Sequence, residues 1–222
     1  MSAKAFTPRI KIDHIISFSD AVFAFAITLM ALTVDIPDLS PNLTEPQLVD
    51  KLLDMSPQIE SYILSFFIIS LFWISYHQVF NHIMDSYISM VYLNLVFLLL
   101  ITLLSISTSL VITFESYQIS YLVYYSVVVT TSSLLVVIWW YAMRIGATNE
   151  NLHPMFKRGL HIQLVIVPVV FAVSIAISFV NLNVAQYFWV AIIPLNICFR
   201  HKFRHWLCSN TKPSAIHEEM GS

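Results

Sequence analysis

Long runs of apolar residues, separated by short polar stretches, dominate the chain. A helix needs about 20 apolar residues to cross a bilayer, and six runs approach or exceed that length. They lie at about 13–34, 58–83, 87–114, 119–143, 160–180 and 184–200. Apolar residues make up 58 % of the 222 residues and charged residues only 11 %, whereas soluble domains carry about 25 % charged residues. The sequence therefore predicts an all-α, polytopic membrane protein with six transmembrane helices.

The polar segments complete the predicted organisation. Residues 1–207 are expected to form one transmembrane domain, and residues 208–222 a polar C-terminal tail. Between the first two spans, Thr44 followed by Pro46 is typical of a capped helix start with proline in an early helical position. A short amphipathic helix is therefore predicted from there to about Met55.

The distribution of basic residues predicts the orientation in the membrane. With six spans, ten of the 11 lysines and arginines fall on one side, and only Lys51 falls on the other. By the positive-inside rule, both termini are expected in the cytoplasm of a multi-pass cell-membrane protein. The net charge of −2 excludes a basic nucleic-acid-binding protein.

Polar side chains inside the first two spans predict a contact between them. Asp20 lies two turns into the first span, where an unpaired carboxylate is costly and should face protein or water. On the second span Trp73, His77 and Asn81 recur every four residues and share one face. We expect Ser19 and Asp20 to form a buried hydrogen-bonded cluster with these three. The alternatives are that His77 and Asn81 meet water near the headgroups, or that Asp20 and His77 relay protons.

Several functional classes lack the residues they need. The three glycines all lie outside the predicted spans, so a glycine-rich carbonyl filter of the usual potassium-channel type is excluded. No phosphate-binding loop or dinucleotide-binding glycine motif is present. Four potential metal ligands near the C-terminus would spread over about 15 Å of one helix and could not converge on an ion; they are Cys198, His201, His205 and Cys208. No enzyme activity, cofactor or metal site is predicted.

The first span also carries a recognisable signature. His14 is followed at the fourth position by Phe18-Ser19-Asp20 and then by an Ala-Ile-Thr-Leu-Met run. This segment resembles the Arg-x-x-x-Phe-Ser-Asp signature in the first helix of the transmembrane protein 175 family of potassium channels. One departure is that His14 occupies the arginine position, so any contact it makes would depend on pH.

The resemblance implies a function and a pore. Family members of this size assemble four copies of the first helix around an axis, with large apolar residues forming the narrowest rings. Matched by offset from Asp20, the ring positions are Phe25, Leu29 and Leu32, and Thr28 would offer a polar group nearby. The implied protein is a homotetrameric, unconventional cation channel that conducts potassium ions passively. Phe25, Leu29 and Leu32 form one apolar stripe on the helix. Without the resemblance, ordinary packing of this stripe against lipid or protein would be the simplest interpretation.

The loop after the first span adds a possible ion entrance. Asp35 and Asp38 would raise the local cation concentration there, although a merely solvated loop is equally compatible with the pattern. The alternative function is a proton-coupled secondary transporter that uses Asp20 and His77. A third is a membrane scaffold without transport. Self-association, monovalent cations and the lipid bilayer are the expected partners.

Overall fold

The computed structural model describes residues 11–32, 34, 44–85, 87–114, 116–149 and 152–188. These residues form helices and no strand: α1 (Ile12–Ala31), α2 (Glu45–Asp54), α3 (Ser56–Phe80), α4 (Ile88–Thr113), α5 (Gln118–Arg144), α6 (Pro154–Ser178) and α7 (Leu182–Phe188). Helices α1, α3, α4, α5 and α6 are long and apolar enough to cross a membrane. The all-α membrane fold predicted from the hydrophobic runs is confirmed.

The predicted start of the fifth span is wrong by six residues. The sequence placed it at 160, whereas α6 begins at Pro154. The His153 side chain caps the helix, because its Nδ1 accepts a hydrogen bond from the Met155 amide at 3.3 Å. Proline suits the first helical position, where its missing N–H costs no hydrogen bond. Lys157 and Arg158 therefore lie on the first turns of α6 and not in the connection.

The short helix predicted after the first span is present as α2. Thr44 and Gln47 form a reciprocal capping box, in which the Thr44 amide donates to Gln47 Oε1 at 3.0 Å. Pro46 stands within its first turn, as predicted. No residue of α2 is buried, so this helix lies on the surface of the subunit.

The predicted sixth span begins as α7, two residues earlier than expected. Asn181 Oδ1 accepts a hydrogen bond from the Val184 amide at 3.2 Å and so caps this helix. Phe188 is the last residue that the structure describes. The rest of the predicted span, the Cys198 to Cys208 group and the tail at 208–222 lie outside the described residues.

An aromatic core joins α1 to the rest of the bundle, where it packs against α3 and α4. The Phe23 ring lies 5.7 Å from Tyr76 of α3 and 6.1 Å from Phe97 of α4, measured between ring centroids. Tyr76 also stacks on Phe80 at 4.2 Å and on Phe97 at 5.8 Å. All four side chains are at most 1 % exposed. Behind this layer α5 packs on α4 and α6, and α7 packs on α6.

Two connections at the same end of the bundle are bonded to each other. The Met84 amide, after α3, donates to the Ala147 carbonyl at 2.8 Å, and the Asn149 amide, after α5, donates to the His82 carbonyl at 3.1 Å. Between these bonds Ile83 pairs with Thr148 as an isolated antiparallel bridge, and both residues are buried. We call this the loop tie.

The loop tie starts from a glycine-dependent helix end. Gly146 has φ of +71° and follows α5 in a Schellman arrangement, with its amide donating to Met143 and that of Ala147 to Ala142. An added Cβ at Gly146 meets no atom within 4 Å. Gly146→Ala should therefore lower stability only through backbone strain, by about 1 kcal/mol.

Thermal unfolding of the detergent-solubilised protein measures this effect. Gly146→Asn is the matched control, because asparagine tolerates the left-handed conformation better than alanine. Equal losses in the two variants would mean that the backbone rearranges here and that the positive φ carries no strain.

Candidate functional site

Helix α1 has two faces of different character. Side chains on one face are at most 5 % exposed, and they belong to Ile15, Ser19, Phe23, Ala26 and Met30. The opposite face exposes large apolar side chains: Phe18 by 54 %, Phe25 by 65 %, Leu29 by 44 % and Leu32 by 78 %. At 100° per residue, Phe23 and Phe25 point about 160° apart. One face therefore fixes α1 within its own subunit, and no described residue covers the other.

The Ser19 hydroxyl joins three helices at the centre of the buried face. Its Oγ donates to the Ile15 carbonyl at 2.8 Å and accepts from the Tyr76 hydroxyl of α3 at 2.7 Å. It also accepts from Asn94 Nδ2 of α4 at 3.1 Å. Ser19 itself is fully buried. This one hydroxyl ties α1 to both of its neighbours.

A second bond from α4 holds α1 further along. Ser105 Oγ donates to the Ala26 carbonyl at 3.0 Å, and both residues are buried. Small hydroxyl-bearing residues of this kind let membrane helices approach closely. The buried face of α1 is therefore fixed at two levels about 10 Å apart along the helix axis.

Asp20 is the second polar anchor. Its Oδ1 accepts hydrogen bonds from Trp73 Nε1 and from His77 Nε2, each at 2.8 Å. The Trp73 and His77 rings lie 4.6 Å apart in an edge-to-face arrangement. The side chains of Asp20 and His77 are 42 % and 24 % exposed, respectively. The carboxylate is therefore paired but still accessible.

The predicted polar cluster takes the form of two adjacent networks. Asp20 meets Trp73 and His77, whereas Ser19, about 100° further round the helix, meets Tyr76 and Asn94. Asn81 ends α3, where its amide donates to the His77 carbonyl at 3.0 Å, and its side chain is exposed. Among the described residues, Asn81 makes no side-chain bond to either network.

Two members of the Ser19 network, Tyr76 and Asn94, were missed from the sequence. Tyr76 lies three residues after Trp73 and so shares part of its face. Asn94 is the only amide side chain within the strongly apolar α4. A lone amide at membrane depth needs a hydrogen-bond partner. The sequence therefore contained a signal that Asn94 takes part in a polar contact between helices.

The other predicted site residues occupy varied positions. His14 lies in the first turn of α1 with an exposed side chain. Phe18 is exposed on the same face as Phe25, since seven residues make almost two full turns. Asp35 and Asp38 lie outside the described residues.

Thr28 is the polar residue beside the exposed apolar stripe. Its Oγ1 lies 2.9 Å from the Ala24 carbonyl and 3.0 Å from the Phe25 carbonyl. Because its one proton is donated to its own helix, the oxygen lone pairs remain available to an outside partner. From Phe25 to Leu32 the stripe runs about 10 Å along the axis.

Asp20→Ala should weaken the attachment of α1 to α3. The variant leaves Trp73 Nε1 and His77 Nε2 without their shared acceptor, which costs about 1–3 kcal/mol per group when water cannot replace it. Because Asp20 is part-exposed, we expect the lower end of that range. Size-exclusion chromatography should show less of the homotetramer expected from the sequence, while the expected preference for potassium should persist in the fraction that assembles.

Asp20→Asn is the matched control, because it removes the charge but keeps an Oδ1 acceptor. It should retain more assembled protein than Asp20→Ala. Normal assembly of Asp20→Ala combined with a lost ion preference would instead place Asp20 on the ion path.

A comparison with protein families finds one match within the first half of the chain. Residues 14–104 match the family described as the endosomal/lysosomal potassium channel TMEM175. This segment covers most of α1, all of α2 and α3, and much of α4. It therefore contains both polar networks and the exposed stripe. None of the curated proteins matches the chain.

Solved structures match nearly the whole chain. One is the crystal structure of a lysosomal potassium-selective channel TMEM175 homolog from Chamaesiphon minutus, which is 23 % identical with a TM-score of 0.71; the match covers 86 % of this chain and 97 % of that one. Another is a variant of the potassium channel MtTMEM175 in complex with a nanobody–MBP fusion protein, 14 % identical with a TM-score of 0.58, covering 92 % and 99 %. These likenesses show the fold. Together with the family match, they confirm the resemblance to the transmembrane protein 175 family.

Proposed function

We propose that the chain, with the fold of the TMEM175 channels and their family match over residues 14–104, is the subunit of a potassium-preferring cation channel. Ions would pass by electrodiffusion, without enzymatic chemistry or a bound cofactor. The permeant species would be K⁺, with other monovalent cations as competitors.

The observation that carries this proposal is the division of α1 into an anchored face and an exposed one. Two polar networks and an aromatic core hold the anchored face, whereas the side chains of Phe25, Leu29 and Leu32 are exposed on the other face. A single helix cannot enclose a pore. The proposal therefore places four copies of α1 around one axis as a homotetramer, with these side chains turned inward.

In that arrangement the stripe forms stacked apolar rings. A narrow apolar neck resists wetting and gates ions by excluding water. Phe25, the most bulky of the three, would set the narrowest ring. Thr28 lies next to it and would offer hydroxyl lone pairs to an ion that has lost part of its hydration shell. His14 and Phe18 would lie towards the end of the helix where the N-terminus begins.

The mouth at the other end would be acidic. Asp35 and Asp38 follow α1 in sequence, and four copies around an axis would attract cations. Arg144 is the last residue of α5, and Lys157 and Arg158 lie in the first turns of α6. By the positive-inside rule that end of the bundle, and both termini, would lie in the cytoplasm of a cell-membrane protein.

One observation favours a second candidate. Asp20 and His77 are hydrogen-bonded and part-exposed, which is the chemistry that a proton-coupled secondary transporter would use. On that hypothesis the cation flux would need a proton gradient and would show a fixed stoichiometry. The channel proposal instead assigns Asp20 and His77, with Trp73 and Ser19, to fixing and positioning α1.

Reconstitution in liposomes distinguishes the two. A channel should carry K⁺ down its own gradient at equal pH on both sides, with a reversal potential near the K⁺ equilibrium potential. Flux that appears only with a proton gradient would support the transporter, and absence of any flux would support a scaffold. The mass of the detergent-solubilised particle tests the tetramer, and a monomer or dimer would contradict the proposed pore.

A further inference from the structure

Helix α2 is amphipathic, although none of its residues is buried. At 100° per residue, its apolar side chains fall within an arc of about 140°; they are Leu48, Val49, Leu52 and Leu53. Polar side chains fall within an arc of about 100° on the other side: Gln47, Asp50, Lys51 and Asp54. Val49, Leu52 and Leu53 are 53 %, 52 % and 63 % exposed. The described part of the chain therefore leaves the apolar side of α2 largely uncovered.

The junction with α3 fixes the level of α2 relative to the membrane. Only Met55 separates the end of α2 from the start of α3, which is long and apolar enough to cross a bilayer. Pro57 has no amide proton for the Leu53 carbonyl, which accepts instead from Ser56 Oγ at 2.7 Å. A proline also clashes with the carbonyl four residues before it, so α2 cannot continue along the axis of α3. It therefore bends away at the level where α3 enters the membrane.

The apolar side of α2 is in phase with an exposed face of α3. Met55 keeps helical dihedral angles, with φ of −80° and ψ of −10°. By the helical repeat, Ile59 and Ile63 of α3 then lie within about 20° of the direction of Leu52, and these two isoleucines are 41 % and 44 % exposed. One apolar strip therefore continues from α2 onto the outside of a transmembrane helix, where aliphatic side chains match lipid tails.

A tyrosine indicates the headgroup region at the same level of the bundle. Tyr187 of α7 is 50 % exposed, and its hydroxyl donates a hydrogen bond to the Glu60 carboxylate, about one turn into α3. Tyrosines with an exposed ring and a bonded hydroxyl are typical of membrane–water interfaces. Glu45 is the one charged residue on the apolar side of α2, and it is the first residue of the helix, at the end away from α3.

We infer that α2 is an interfacial helix that docks on the surface of the lipid bilayer. Its partner is the headgroup region and the first part of the acyl chains, which Val49, Leu52 and Leu53 enter by about 5–10 Å. Asp50 and Asp54 then face water. This acidic side favours zwitterionic lipids, because anionic headgroups would repel it. The docked helix holds the connection between α1 and α3 at the membrane surface.

Spin labels on single cysteines test this inference in the full chain, with Cys198 and Cys208 replaced by serine and the protein reconstituted in phosphatidylcholine vesicles. Oxygen dissolves in the bilayer, whereas the nickel complex NiEDDA stays in water, so power saturation of the EPR spectrum measures how often each label meets either reagent. Leu52→Cys and Asp50→Cys are a matched pair, because the two positions point about 160° apart at nearly the same place along the helix. The ratio of oxygen to nickel collisions should be severalfold higher at position 52 than at position 50.

Leu53→Cys and Asp54→Cys form a second pair, with the same expected difference, if a variant of the first pair does not fold. Equal ratios at the apolar and polar positions would overturn the inference, because α2 would then be wholly solvated or wholly immersed. A label at position 52 shielded from both reagents would also overturn it and would indicate that a second copy of the chain covers this side. These readouts do not involve ion flux, so their outcome is independent of channel activity.

Discussion

Phe25→Ala is expected to raise K⁺ conductance severalfold and to weaken the discrimination between K⁺ and Na⁺. Four Phe25 side chains would meet across the proposed apolar neck, and their truncation would widen and hydrate it. The helix itself should persist, because alanine is the best helix former. Single-channel recording in planar bilayers measures conductance, and reversal potentials under mixed K⁺ and Na⁺ gradients measure selectivity.

Phe23→Ala is the matched control for Phe25→Ala. Both residues are phenylalanines at nearly the same depth, but Phe23 is 1 % exposed and Phe25 65 %. Truncating a buried phenylalanine costs about 3–5 kcal/mol, so Phe23→Ala should reduce the yield of folded protein and leave selectivity unchanged. Leu32→Ala, at the far end of the stripe, should alter conductance less than Phe25→Ala. Equal selectivity changes in the two phenylalanine variants, or an unaltered channel in Phe25→Ala, would remove this face from the pore.

Ser19→Ala should destabilise the subunit more than Asp20→Ala does, although it removes no charge. The Tyr76 hydroxyl and Asn94 Nδ2 would both lose their acceptor in a fully buried site, at an expected cost of about 1–3 kcal/mol for each group, whereas part-exposed Asp20 lies at the lower end of that range. Ser17→Ala is the control. Ser17 makes the same bond to its own helix, from Oγ to the Asp13 carbonyl at 2.8 Å, but its side chain is exposed, and its replacement should cost less than about 0.5 kcal/mol.

Unfolding of the purified protein in mixed detergent and denaturant micelles measures these losses. A double-mutant cycle with Tyr76→Phe tests the mechanism, because removing donor and acceptor together should cost less than the sum of the single changes. Additive losses, or equal losses in Ser17→Ala and Ser19→Ala, would mean that the Ser19 network does not hold α1.

Much of the fold follows from local patterns that the sequence displays directly. The apolar runs predict the spans, and Thr44 with Pro46 predicts the capped α2. The helical periodicity of 100° per residue places Phe23 and Phe25 on different faces of α1. Each of these depends on residues that are close in sequence. The start of α6 was misplaced because Lys157 and Arg158 suggested a connection, whereas the stronger signal was Pro154 after a capping histidine.

The anchoring networks were predictable only in part. Asp20, Trp73 and His77 could be predicted because they are polar groups within apolar spans. The structure contains the hydrogen bonds from Trp73 and His77 to Asp20. The partners of Ser19 depend on how α3 and α4 are rotated about their axes, which is a property of packing between distant segments. The sequence pattern around Tyr76 also fits an ordinary aromatic residue of the core. The faces of helices follow from periodicity, but the choice of partner across a bundle does not.

The loop tie has a consequence for the order in which the protein can be built. The amide of Met84 and the carbonyl of His82 leave the ribosome before their partners at Ala147 and Asn149, with α4 and α5 still to be made. Until α5 has entered the bilayer, the turn after α3 must satisfy these groups with water. The turn after α3 is thus fastened only when the fifth helix arrives, long after the turn itself was made.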